Sequence, residues 1–101
     1  MRNNGGFILI KINKSIDDLT ANDFDKNIFR EIVKNQVKKP LILQTLLSGL
    51  VFQCYVDDVS CEFRYVLVQS IEEDGTISGY VDVSIAYNSV SDELTYQYTE
   101  I

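Results

Sequence analysis

Residues 61–87 read CEFRYVLVQSIEEDGTISGYVDVSIAY, and the fold follows from how this stretch pairs with itself. Cys61, Phe63, Tyr65, Leu67 and Ile71 fall on one side of an extended chain, and Glu62, Arg64 and Ser70 on the other. That is the period of a half-buried strand. After Glu73-Asp74-Gly75 the alternation resumes, with Ile77, Val81, Val83, Ile85 and Tyr87 opposed to Thr76, Ser78, Asp82 and Ser84. A slip of one residue would turn every apolar side chain of one strand into water, so parity selects the register. A two-residue Asp74-Gly75 loop sets Ile71 against Ser78 and fails. A three-residue loop of Glu73, Asp74 and Gly75 pairs Ile71 with Ile77, Leu67 with Val81, Tyr65 with Val83 and Phe63 with Ile85. It also puts Gly75 at the left-handed end of a type I turn with a G1 bulge.

Working outward, Leu50, Phe52, Cys54 and Val56 alternate in the same way and enter the hairpin through the loop Asp57–Ser60. Beyond Tyr87, a loop of Ser89–Asp92 leads to Leu94, Tyr96 and Tyr98 facing inward. The expected meander has strands 50–57, 61–71, 76–87 and 94–100. Upstream, Met1 to Gly5 reads as a loose start. A strand follows with Ile8, Ile10 and Ile12 on one face and Phe7 and Leu9 on the other, a pattern of burial on both sides. Thr20 with Asp23 three residues on is a weakened capping box. It is expected to open a helix that carries Phe24, Ile28, Ile32 and Val33 and ends near Gln36, before Pro40. Leu41 to Leu50 fits a short helical face as well as a strand, turn and strand through Ser48-Gly49, and the period of two that follows favours the latter. The expected fold class is α+β: one long helix packed on an antiparallel four- to five-stranded meander sheet, in strand-helix-strands order.

The 101 residues suit one domain, 1–101, with a single core. No stretch reads as a signal peptide, and Leu41 to Val56 is interrupted by polar residues and too short to span a bilayer. The two cysteines, Cys54 and Cys61, fall on core-facing diagonal positions, the pattern of reduced thiols in a cytoplasmic protein. The net charge of −6 hides an asymmetry. Through Pro40, eight Lys or Arg stand against five acids; from Leu41 onward Arg64 alone faces ten.

With no histidine in the chain, acid-base chemistry would need converging carboxylates, and none of the loops has the spacing that enforces convergence. There is no zinc spacing, no phosphate-binding glycine loop and no nucleophile elbow. We therefore expect no enzyme, no cofactor and no metal. Lys26, Arg30 and Lys34 form a basic ridge along the helix. It carries few charges for direct nucleic-acid binding on an acidic protein, and suits an acidic surface on a partner or a second copy.

The expectation is a small acidic, non-catalytic protein that binds and blocks another protein, basic or nucleic-acid-handling, in the manner of an inhibitor, immunity or phage anti-defence protein. The contact candidates are Asp57, Asp58, Asp92 and Glu93, whose loops share one end of a meander. Glu72, Glu73 and Asp74 form the rival patch at the other end, and Tyr80 on the outer face, opposite Val68 and beside Val66, marks a surface that is either covered or used. The alternative is a self-assembling structural or virion accessory protein, joined through an edge strand or a helix-to-sheet contact. In composition, rich in Ile, Asn, Lys and Asp without His or Trp, the chain is similar to small proteins of bacteriophages and mobile elements. The order strand, helix, meander resembles the cystatins. Gln44–Gly49 has one residue too many between Gln and Gly for their glycine loop, and their tryptophan loop has no counterpart, so no function is carried over.

Overall fold

A computed structural model describes residues 6–46 and 49–100, with Gln69 described by its backbone only. The expected loose start, Met1–Gly5, and Ser48 of the expected turn lie outside the described residues. Among the described residues, six strands form one sheet in sequence order: β1 (Ile8–Lys11), β2 (Leu41–Gln44), β3 (Gly49–Val56), β4 (Ser60–Ile71), β5 (Ile77–Asn88) and β6 (Glu93–Glu100). One helix, α1 (Lys26–Asn35), and two 3-10 turns, Ile16–Asp18 and Ala21–Asp23, lie between β1 and β2.

The sheet corrects the expected α+β sandwich of a long helix on an antiparallel meander. The protein is mostly strand, curled and mixed, because β1 and β2 run parallel, Ile8 beside Leu41 and Ile10 beside Leu43. Parallel neighbours require a long crossover, and residues 12–40, with the helix in their midst, provide it. β1 is an edge, and Phe7 and Leu9 are exposed, so the apolar residues on its second face are not buried.

The helix is short, ten residues rather than a long rod. The Thr20–Asp23 box forms, with the Asp23 carboxylate accepting from Thr20 N at 2.8 Å, but it caps the turn Ala21–Asp23. Phe24 then extends, placing its ring 5.3 Å from that of Tyr96 and 6.3 Å from that of Phe29. Only at Asp25, whose side chain accepts from Asn27 N, does the helix begin. Thr20 and Asp25 are both competent caps, and the place of the Phe24 ring beside Tyr96 moves the helix start to Asp25. At the far end Gln36 turns left-handed (φ 50), with Val37 N donating to Ile32 O and Gln36 N to Val33 O. This is a Schellman ending built on glutamine rather than glycine. The Gln36 amide explains the choice, donating to Val33 O at 2.8 Å and to Asp57 O at 2.9 Å, which ties the helix to the β3–β4 loop.

Ten helical residues span about 15 Å, whereas a strand of twelve reaches about 40 Å. The helix buries Phe29, Ile32 and Val33 against Phe52, Phe63, Val83 and Ile85 and leaves the far end of the β4–β5 hairpin bare. Ile71 and Ile77 pair there as parity requires, yet both are exposed. From Phe63 to Val68 the register follows the reading of residues 61–87, with Phe63 facing Ile85, Tyr65 Val83 and Leu67 Val81; beyond Val68 it shifts, and Ser70 lies beside Gly79. Gly75 has φ +91.

Candidate protein-binding surface

The two acidic loops at one end are docked on each other. Val59 O accepts from Ser89 N at 2.7 Å and from Ser89 Oγ at 2.6 Å. Asn88 Oδ1 shapes the second loop by accepting from Val90 N and Ser91 N. The carboxylates themselves diverge. Asp57 folds into its own turn, where Oδ1 accepts from Val59 N (2.9 Å), Ser60 N (2.7 Å) and Ser60 Oγ (2.9 Å). These bonds, that from Val59 first, hold its carboxyl below the usual range.

Asp92 turns towards the helix. It accepts from Arg30 Nε (3.0 Å) and Nη2 (2.8 Å), from Lys26 Nζ (3.3 Å) and from the Tyr87 hydroxyl (2.6 Å), while its carbonyl takes Lys26 Nζ at 2.8 Å. Two of the three residues of the basic ridge thus meet an acid within the same chain. Lys34 stays exposed beside a depression shared with Gln36 and Asp58. Glu93 points to the outer side of the sheet, where with Tyr55, Asp57, Ser60, Glu62 and Ser91 it lines a groove of about 540 Å³. Three acidic residues, Asp57, Glu62 and Glu93, line this groove.

At the opposite end Glu72, Glu73 and Asp74 are exposed, and hydrogen bonds from Thr76 hold Asp74 below its ordinary value. They are not brought near the first group. Tyr80 is half-buried opposite Val68. β1 extends the sheet sideways and does not cover this face. Leu9 lies beside Ile42, Ile42 beside Val51, and continuing the Gln53–Arg64 register puts Val51 beside Val66. Leu9, Val51 and Val66 are 47%, 53% and 51% exposed. An apolar row therefore crosses four strands of the open face.

A second depression, of about 820 Å³, lies on this row between Val51, Tyr55, Arg64 and Val66. Tyr55, 54% exposed, and Glu62 line both hollows and join them. The sequence reading missed this junction by taking β3 for its inner face alone. The signal was present, since two of the three outward residues between Leu50 and Val56 are Val51 and Tyr55.

Among the described residues no group of three or more Cys, Asp or Glu side chains is placed to hold a metal ion. No described helix is long and apolar enough to cross a membrane. Comparison with protein-family models, curated proteins and solved structures finds no match.

Proposed function

We propose that this chain is a non-catalytic cytoplasmic protein that binds and blocks a basic protein partner through the outer face of its sheet. One observation carries the reading: the exposed apolar row runs at Tyr55 into a groove walled by Asp57, Glu62 and Glu93. An exposed apolar patch rimmed by charge is the composition of a protein interface, with tyrosine a frequent anchor. The row suits aliphatic or aromatic side chains, and the groove suits a lysine or arginine. A target that normally holds phosphate presents such cations, and carboxylates can stand in for the phosphate. Free thiols at Cys54 and Cys61 fit a reducing compartment. Asp92 is the framework of the site rather than a contact.

The test compares three baits in an extract of the source cell: the wild type, Tyr55→Ala/Val66→Ser, and Glu72→Lys/Glu73→Lys. The expected result is one protein retained by the wild type and the far-end variant and lost from the outer-face variant. Glu62→Lys/Glu93→Lys should lose it as well, and the wild-type complex should weaken with salt. Equal retention by the outer-face variant, or no retained protein at all, overturns the reading.

A further inference from the structure

A different part of the molecule, the edge strand β6, points to a second copy of the chain. Among the described residues β6 has a strand neighbour on one side alone, and so has β1 at the other end of the sheet. The two edges differ. β1 has four residues and carries Lys11, both of which discourage further pairing, whereas β6 has eight, with no Lys, no Pro and no bulge. Its acids, Glu93 and Glu100, stand only at its ends.

Two bonds set the direction of its backbone. Asp57 N donates to Ser60 O, and Ser89 N to Val59 O. Because antiparallel ladders alternate, even-numbered residues of β4 face β3 and odd-numbered ones face β5. On β5 the even-numbered residues then face β6. Through Ser84 beside Gln97 and Ala86 beside Thr95, the odd-numbered residues of β6 face β5. Leu94, Tyr96 and Glu100 direct their N–H and C=O groups to the far side, as does Tyr98.

The strand reads ELTYQYTE, nearly the same in both directions about Gln97. We propose that two copies join by antiparallel pairing of β6 across a two-fold axis at Gln97, making one continuous sheet. In that register Tyr96 meets the second copy's Tyr98 on the inner side, and Thr95 meets Thr99 beside a central pair of Gln97 residues on the outer side. Matched aromatic pairs and threonine pairs are favourable cross-strand neighbours. Glu100 falls opposite Leu94 and on the other face from Glu93, so no two acids of the strands meet. Moving the axis to Tyr96 would set Glu100 against the second copy's Asp92. Phe24, stacked 30° from parallel on Tyr96, and Ile16 O, which accepts from the Tyr96 hydroxyl at 3.3 Å, hold the strand in place before the copies meet.

Light scattering on a concentration series, with circular dichroism to verify the fold, tests this. The wild type should show twice the chain mass of 11.5 kDa. Thr95→Lys/Thr99→Lys, at two exposed positions, places lysines opposite lysines and should raise the dissociation constant about tenfold or more. Thr95→Glu/Thr99→Lys makes the facing pairs opposite in sign only in this register, and should keep the doubled mass. Tyr55→Ala/Val66→Ser, altered on other strands, should keep it too, which separates this pairing from the outer-face interface. A wild type of single mass throughout, a dilysine variant that stays paired, or a monomeric Glu/Lys or Tyr55/Val66 variant overturns the proposal.

Discussion

Arg30 on the helix and Asp92 in the β5–β6 loop form a two-pronged ion pair, with Nε 3.0 Å from Oδ1 and Nη2 2.8 Å from Oδ2. The loop offers its carboxylate by turning left-handed at Asp92 (φ 54), and the Tyr87 hydroxyl donates to Oδ1 from the inner face of the sheet. Fork-to-fork geometry of this kind is the strong form of the arginine–carboxylate contact. It joins the helix to the far half of the sheet.

The Arg30 guanidinium, and after it the Tyr87 hydroxyl, hold the Asp92 carboxyl well below its ordinary 3.8. A carboxyl held low in the folded state adds stability that is complete above the unfolded value and is lost as pH falls through it towards the folded one. Asp92→Asn should therefore melt below the wild type at pH 7, and the gap should narrow below about pH 4. Thermal melts of both proteins from pH 7 to pH 2.5 check this. Both side chains are partly exposed, so salt should shrink the gap as well.

Phe24 is buried between Tyr96 and Phe29, and it sets the break between the 3-10 turn and the helix. Phe24→Ala leaves a cavity and should cost about 3 kcal/mol. Urea denaturation should show a lower midpoint with a similar slope, because the rest of the core stays in place.

A Cβ at Gly75 would meet nothing within 4 Å, so space is not the obstacle to a side chain there. Its φ of +91 is. Gly75→Ala should cost about 1 to 2 kcal/mol, through the backbone alone, and Gly75→Asn less. Chemical denaturation of the two variants side by side separates them.

Burial, helped by the nearby Cys54 and Asp57, pushes the Cys61 thiol up to about 12. Burial also raises Cys54. At pH 8 a disulfide-exchange reagent should titrate Cys61 only after denaturant is added, with Cys54 reacting first and more slowly than a free thiol. Rapid modification of both thiols in the folded protein would contradict the packing described here.

Residues 61–87 were legible because two strands that share one buried face leave a single parity that keeps Phe63, Tyr65, Val83 and Ile85 out of water. That the Asp57–Ser60 and Ser89–Asp92 loops share one end of the sheet was legible from the same topology; that they dock through Val59 and Ser89 was not. The direction in which each carboxylate points was not. Asp92 and Glu93 are adjacent and chemically alike, yet one is clamped under the helix and the other lines the outer groove. The helix start was misread because Thr20–Asp23 and Asp25 are both competent caps, and only the demand of Phe24 for a place beside Tyr96 chooses between them.

What the sequence determined by itself is whatever depends on neighbours one or two residues away: strand parity, the Gly75 turn, the charge imbalance and the end of the helix before Pro40. Tertiary structure alone decided that β1 lies parallel to β2, that the helix is too short to cover the hairpin tip, and that an apolar row from Leu9 to Val66 lies open beside an acid-lined groove. Each of these depends on which distant surfaces compete for the same apolar cover. That competition is settled by the volume of the assembled core and leaves no local pattern in the chain.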